Sequence, residues 1–242
     1  MLSSIWNTLL YQPFVNILAF LISIIPGGDV GIAIILLTFL VKLLLFPLSQ
    51  KSLENQAKTS ALSPLLNEIK ASGATKEEQA RRTFELYKKH KANPFSGCLL
   101  VLVQIPVIFA LYFVFYKGIA FNSDILYSFI PVPENVNMNF LGLIDIASKS
   151  AVLAALAGIS QYLQAHFMPK PPAPPGATGD DFAASFQKSM HLQMKYFFPI
   201  IVAIISYSIS GAIALYWLTS NLFAVAQQIY VNKKKLHVLN LK

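Results

Sequence analysis

Charge is scarce in this sequence. Only 12% of its 242 residues are charged and 55% are hydrophobic, whereas a soluble domain has about 25% charged residues. The mean hydropathy is +0.55. This composition excludes an ordinary soluble globular domain and is typical of a polytopic membrane protein.

Cysteine and catalytic groupings are also scarce. Cys98 is the only cysteine, so a disulfide framework within the chain is excluded. The four histidines are scattered, and no nucleophile–base pair, metal-ligand spacing or glycine-rich phosphate loop is visible. The sequence therefore predicts a protein that is not an enzyme and that needs no cofactor and no metal.

Basic residues are unevenly distributed. Residues 1–30 contain none, whereas 16 of the 19 lysines and arginines fall in residues 51–93, 170–195 and 233–242. The positive-inside rule places these three segments in the cytoplasm and the N-terminus outside. The net charge of +8 thus reflects membrane topology, and DNA is not an expected partner.

The apolar runs predict an all-α polytopic membrane protein with five transmembrane helices, because about 20 apolar residues cross a bilayer. The 37 uncharged residues 196–232 are too many for one span and predict two spans that meet near Ser208–Gly211. The five predicted spans are 31–51, 96–117, 147–167, 195–210 and 211–232. On the extracytoplasmic side we predict an interfacial helix in 1–30 and a loop in 118–146. On the cytoplasmic side we predict a two-helix hairpin in 52–95, a proline-rich loop in 168–194 and a basic tail in 233–242.

Two of these segments depend on local signals. Asn7, Pro13 and Asn16 interrupt the apolar N-terminus, which favours a helix lying on the membrane surface. A spanning helix there is the alternative, and it would place the N-terminus inside. Within the hairpin, Thr75 and Glu78 have the spacing of a helix N-cap box.

Lys42 is the one cation within the apolar run 31–50. A lysine near the centre of such a helix costs about 2.5–3.5 kcal/mol. Snorkelling to the surface is one interpretation, and a wet or polar cavity is the other. No carboxylate lies within any predicted span, so an unpaired Lys42 favours a site that receives water or an anionic visitor.

Uncharged polar residues also lie within the predicted spans. Such residues commonly hydrogen-bond across helices as packing contacts, but together with Lys42 they favour a polar site that receives substrate. The candidate site residues are Lys42, Thr38, Gln104, Gln161, Gln164, Tyr216, Trp217, Ser220 and Asn221.

Three stretches, in this order and spacing, resemble the YidC/Oxa/Alb membrane protein insertases. They are GIAIILLTFLVKLLLFPLSQKS, KANPFSGCLLVLVQIPVIFALYF and SGAIALYWLTSNLFAVAQQIYV. The resemblance covers nearly the whole chain, and the predicted cytoplasmic hairpin falls where that family has one. The family usually has arginine at the position of Lys42; arginine stays charged almost anywhere, whereas a buried lysine can lose its proton.

The resemblance implies a five-helix core around a hydrophilic groove that opens to the cytoplasm and the lipid and is closed outside. It implies insertion of nascent membrane proteins into a bacterial cytoplasmic membrane, alone or beside the Sec translocon. The large extracytoplasmic domain of many Gram-negative members is absent, so we expect a short form. A small-anion channel or transporter that binds through Lys42, and a purely structural assembly factor, are the competing hypotheses.

The basic residues outside the spans form a second candidate site. One role for these residues is to anchor the protein beside anionic membrane lipids. The alternative is a functional contact with the ribosome. The residues are Arg81, Arg82, Lys88, Lys89, Lys233, Lys234 and Lys235.

Overall fold

The computed structural model describes residues 6–93, 96–116, 121, 125–168, 189 and 192–239, and this part of the chain is mostly helical. A π-helical turn (Asn7–Tyr11) leads into the first α-helix, and a second π-helical turn (Gln193–Phe197) precedes the eighth. The α-helices are α1 (Gln12–Ile24), α2 (Val30–Leu44), α3 (Phe46–Ala61), α4 (Ser63–Ala71), α5 (Lys76–Lys89), α6 (Ser96–Tyr116), α7 (Ala151–Phe167), α8 (Phe198–Ile209) and α9 (Gly211–Leu239). Two short antiparallel strands, β1 (Asn139–Phe140) and β2 (Ile144–Asp145), complete the fold.

The chain divides into two compact units. The first comprises Met1–Leu45, Leu102–Gln161 and Pro199–Ala224. The second comprises Phe46–Val101, Tyr162–Phe198 and Val225–Lys242. Each unit combines segments that are distant in sequence, so neither can be assigned from one continuous stretch.

The core of the first unit lies where α1 packs on α2. Leu18, Ile22 and Ile34 are among its fully buried side chains. Val107 and Leu111 of α6 and Leu215 of α9 belong to the same apolar cluster. Close packing of these side chains stabilises the unit through many small van der Waals contacts.

The N-terminal helix runs without a break through Pro13 and Asn16, which interrupt its apolar sequence. It is continuous over Asn7–Ile24 and, by length and composition, is the one described helix that could cross a membrane unbroken. Pro13 stands in the first turn of α1, where a missing N–H costs little. Asn16 is buried and donates to the carbonyls of Gln12 and Ile125 at 2.7 and 3.0 Å. Its polarity is therefore satisfied by backbone, and the choice between a spanning and an interfacial helix stays a prediction.

The span predicted over 31–51 is two helices in the structure. α2 ends at Leu44 and α3 begins at Phe46. Pro47 explains the break, because proline lacks an N–H and its ring clashes with the carbonyl four residues earlier. Lys42 consequently lies in the last turn of α2, rather than near the middle of a straight 20-residue helix.

The loop before α7 closes one end of the first unit. Asn137 accepts a hydrogen bond from Val30 N and donates to Gly28 O, at 3.0 and 2.9 Å. The Asp29 carboxylate accepts from Ile32 N at 3.1 Å, which caps α2, and from Leu141 N at 2.8 Å. These bonds hold residues 137–141 against the N-terminal end of α2.

The beginning of α9 is held by the same loop. Gly211 N donates to Ser148 O at 2.8 Å and Ala212 N donates to Ile146 O at 2.9 Å. These contacts satisfy two of the N–H groups that a helix start leaves unpaired. The predicted turn near Ser208–Gly211 corresponds to a break at Ser210, between α8 and α9.

In the second unit, α4 and α5 pack on each other through Leu62, Leu66 and Tyr87. The capping prediction is correct in one half: Thr75 Oγ1 accepts from Glu78 N at 3.3 Å. The Glu78 carboxylate instead accepts from Arg81 and Arg82. The cytoplasmic location of this helix pair stays a prediction.

α9 runs to Leu239, seven residues beyond the predicted end of span five, so the backbone of Lys233–Lys235 is helical. In the second unit Gln227 Nε2 donates to Ser49 Oγ at 2.8 Å, which joins α9 to α3. The described helices carry the apolar segments of every predicted span, but the count of five membrane crossings stays a prediction.

Candidate functional site: a polar cluster around Lys42

Lys42 projects from α2 towards α6. Its Nζ donates a hydrogen bond to Gln104 Oε1 at 3.2 Å, and the side chain is half-buried. Among the residues described, no carboxylate lies within ion-pair distance of Lys42. Because an ammonium has three donors and Gln104 accepts from one, Lys42 keeps hydrogen-bonding capacity for a further acceptor.

Gln104 links Lys42 to α9. Its Nε2 donates to the hydroxyl of Tyr216, which is buried with 2% of its surface exposed. Gln104 therefore accepts from the cation with its carbonyl and donates to the phenol with its amide. These hydrogen bonds join α2, α6 and α9. Tyr216, which the sequence predicts as a substrate-site residue, instead supports Gln104 from its buried position.

Thr38 belongs to the packing of α2 rather than to an open surface. Its Oγ1 donates to Ile34 O at 2.7 Å, and 2% of the residue is exposed. A threonine bonded to the carbonyl four residues earlier is satisfied within its own helix. The structure thus places Thr38 one turn from Lys42 but leaves it no exposed surface.

Asn221 forms a second polar link, which joins α9 to α7. Its Nδ2 donates to Ser160 Oγ at 3.1 Å, and Ser160 Oγ donates to Ala157 O at 2.8 Å. Both side chains are buried. Ser160 was missed by the sequence analysis, because a lone serine in an apolar helix gives no signal until its partner is known.

The remaining candidates differ in exposure. Gln161 and Ser220 are buried, whereas Trp217 is half-buried and so more accessible. Gln164 is half-buried and lies in the second unit. Within the first unit, the structure brings Lys42, Gln104 and Tyr216 into one hydrogen-bonded chain and keeps Asn221 with Ser160.

The polar cluster lies far from the closed end of the first unit. Lys42 follows Asp29 by thirteen residues, which is roughly 20 Å at about 1.5 Å per helical residue. Val30, Ile34 and Leu37, which lie between them on α2, are buried and apolar. The cation is therefore separated from the loop-capped end by a packed apolar layer.

The basic residues of α5 are partly neutralised by their own helix. The Glu78 carboxylate accepts from Arg81 Nη2 at 3.0 Å and from Arg82 Nε at 2.8 Å. These two guanidiniums lower the pKa of Glu78, and the pair raises the pKa of Arg81. Lys88 and Lys89 are exposed on the last turn of the same helix, and Lys233 is exposed on α9. The side chains of Lys234 and Lys235 lie outside the described residues.

A metal centre is not suggested by the described part of the chain, where no three His, Cys, Asp or Glu residues are grouped as ligands. The cluster instead offers donors and acceptors around a cation. Apolar helices that carry a polar cluster centred on a lysine are typical of an integral membrane protein.

Comparison with known proteins shows which member of that class this is. The model of the 60Kd inner membrane protein family matches residues 21–237. A membrane protein insertase YidC of Fusobacterium nucleatum is 34% identical over 228 residues, covering 93% of this chain and 98% of that protein. The chain belongs to the 60Kd inner membrane protein family.

Other relatives differ in length. A membrane protein insertase YidC of Clostridium tetani is 33% identical over 233 residues, covering 94% of this chain and 93% of that protein. One of Magnetococcus marinus is 32% identical over 235 residues, covering 96% of this chain but 37% of that protein. The chain thus spans nearly all of two relatives and about a third of the other.

Proposed function

We propose that this protein inserts nascent membrane proteins into the bacterial cytoplasmic membrane, alone or beside the Sec translocon. The observation that carries the proposal is Lys42, a half-buried cation whose partner is the neutral amide of Gln104. The names of the relatives, membrane protein insertase YidC, support the same function.

Insertion requires a short polar segment to enter the membrane ahead of an apolar helix. Each unpaired backbone group in hydrocarbon costs several kcal/mol. A polar groove lowers that cost by supplying hydrogen bonds, and Lys42 attracts acidic side chains of the segment. The apolar helix then leaves sideways into lipid, driven by burial of its surface. No nucleotide or metal is required by this scheme.

The residues of the cluster divide into three roles under this proposal. Lys42 and Trp217, which are half-buried, meet the substrate. Gln104 and Tyr216 position the Lys42 ammonium. The buried residues hold the helices in register; these are Thr38, Gln161, Ser220 and Asn221. This division replaces the simpler expectation that every polar side chain in the spans contacts substrate.

We further propose a topology of five spans with the N-terminus outside and the C-terminus inside. The distribution of basic residues supports it. The loop that caps α2 and α9 would then face outward, and the groove would open to the cytoplasm. The apolar layer between Asp29 and Lys42 favours a groove that ends within the membrane over a continuous anion pathway.

The partners we propose are nascent membrane proteins and membrane lipids, with the Sec translocon and the ribosome as further candidates. The basic residues of α5 and the start of the tail would make the ribosome or headgroup contact. Since Glu78 holds Arg81 and Arg82, the exposed Lys88, Lys89 and Lys233 are the freer charges.

Reconstitution of the purified protein in lipid vesicles tests the proposal. We expect a synthesised single-span substrate to become protease-protected only in vesicles that contain the protein. When no substrate is added, we expect these vesicles to show no anion flux. Anion flux without any polypeptide, and no substrate protection, would identify a channel or transporter instead. A photo-crosslinker at Trp217 should capture the stalled substrate, and one at buried Thr38 serves as the matched control that should not.

A further inference from the structure

The hairpin between β1 and β2 presents two leucines at its tip. Phe140 pairs with Ile144 across the strands, and the turn between them contains Leu141, Gly142 and Leu143. Leu141 is 60% exposed and Leu143 is 83% exposed. Large apolar side chains exposed at one turn mark a contact surface when they occur together.

The backbone of the turn makes this choice of residue unusual. Leu141 has φ 53° and Gly142 has φ 69°, so both adopt the left-handed conformation. Glycine and asparagine adopt that conformation more readily than leucine. A polar turn would be both less strained and better solvated, so the apolar tip calls for a contact that offsets these costs.

The tip is fixed firmly to the first unit. Leu141 N donates to Asp29 Oδ2 at 2.8 Å, and Phe140 packs against the apolar core beside Gly31. Gly142 N and Leu143 N close the turn by donating to Asn139 O and Phe140 O at 3.1 and 3.0 Å. The two leucines are therefore displayed on a held scaffold.

The anchor also sets the level of the tip relative to the membrane. Asp29 is the N-cap of α2, so the hairpin lies where an apolar helix of an inner membrane protein begins. Under the topology proposed above, on which this inference rests, that level is the boundary between headgroups and hydrocarbon. Residues 135–144 carry no charge, and Ile24, at the same end of α1, is 58% exposed. The apolar surface of the spans thus continues to the level of the hairpin.

We propose that Leu141 and Leu143 insert into the lipid at this boundary, so that the hairpin is a lipid anchor for the capped end of the first unit. Lipid is the occupant because the uncharged tip lies level with the start of an apolar helix and needs no specific partner there. The anchor sets the depth of α2 in the bilayer, and through it the depth of Lys42.

Site-directed spin labelling tests the anchor independently of any insertion activity. The protein with Cys98→Ser is labelled at Leu143→Cys, or at Glu134→Cys as a matched exposed position in the same loop, in vesicles of phosphatidylethanolamine and phosphatidylglycerol. We expect the spin label at position 143 to be more accessible to the relaxation reagent oxygen than to a water-soluble nickel chelate. At position 134 we expect the reverse order.

Two results would overturn the proposal. Nickel accessibility at 143 equal to that at 134 would place the tip in water. Low accessibility to both reagents at 143 would place it against protein, such as a second copy of the chain. A further variant, Leu141→Asn, keeps the left-handed turn, and in it we expect the label at 143 to become more accessible to the nickel chelate. If oxygen remains the more accessible reagent to the same extent, the two leucines do not act together.

Discussion

Lys42 and Gln104, which lie 62 residues apart, are joined by a hydrogen bond of 3.2 Å from ammonium to amide oxygen. A lysine can only donate, so Gln104 must turn its carbonyl to the cation and its amide to Tyr216. The polar cluster is thus built from the charge outward. Its properties should depend on the sign of that charge and on the support behind it.

The sign of the charge is the first test. We expect Lys42→Arg to retain insertion and Lys42→Glu to lower it about tenfold, or roughly 1.4 kcal/mol, for substrates with acidic translocated segments. The reason is that attraction becomes repulsion. Protease protection of the inserted substrate measures the effect, and a substrate with a neutral segment is the control, with a milder defect. Equal insertion of acidic substrates by wild type and Lys42→Glu would remove the electrostatic role.

The support of Gln104 is the second test. Tyr216→Phe removes one buried hydroxyl and should lower the free energy of unfolding in detergent by about 0.6–1 kcal/mol. It should also lower insertion, because Gln104 then holds Lys42 less firmly. Tyr207→Phe is the matched control, since Tyr207 is half exposed on α8. Identical insertion by the two variants would assign Tyr216 to packing alone.

The cap of α2 is the third test. Asp29→Ala removes an N-cap and the acceptor of Leu141 N, so the free energy of unfolding should fall by about 1–2 kcal/mol. Asp29→Asn keeps an oxygen that can cap the helix and should lose much less. Thermal unfolding in detergent compares the two. If the alanine and asparagine variants melt together with wild type, the carboxylate does not hold the loop.

Close packing of the hairpin on α2 is the fourth test. A Cβ added at Gly31 would lie 2.3 Å from Phe140 Cδ2, so Gly31→Ala should destabilise by about 1–3 kcal/mol through overpacking. Phe140→Leu should relieve part of that loss in the double variant. Denaturation of both single variants and the double variant gives the coupling energy. Simple additivity would show that the two residues do not meet.

The basic surface of α5 is the fifth test. The pKa of Glu78 is lowered by Arg81 and Arg82, so the carboxylate stays ionised at neutral pH, and the pairing is lost only as the pH falls through that lowered pKa. Glu78→Gln should free both guanidiniums and increase ribosome co-sedimentation at low salt. Each new phosphate contact should steepen the salt dependence by about 0.7–0.9 in log–log slope.

The control for that test is Glu68→Gln, which makes the same change of charge at an exposed position on α4. Neutralising Arg81 and Arg82 together should have the opposite effect to Glu78→Gln. Removal of residues 233–242 should lower co-sedimentation only modestly, because they carry four of the 19 basic residues. Unchanged co-sedimentation of all these variants across a salt series would favour contact of the basic residues with anionic lipid headgroups instead of the ribosome.

Features that depend on near neighbours were predictable from the sequence. The break at Ser210, the Thr75 cap and the placement of Lys42 in an apolar helix all follow from residues a few positions apart. The break at Leu45 was predictable in the same way from Pro47, but the length of the apolar run concealed it. Membership of the insertase family was likewise visible in three short stretches.

The partners of the polar side chains depended on the tertiary structure. Thr38, Gln104, Tyr216 and Asn221 all appeared in the sequence as equal members of one site. Packing separated them, since Gln104 meets Tyr216 across 112 residues, whereas Thr38 bonds within its own helix. Asn16 interrupts an apolar stretch of the sequence, and only the tertiary structure shows that its side chain donates to the loop carbonyl of Ile125. Helix formation follows local periodicity, but the register between helices is set by long-range packing, and that register decides which polar atoms meet.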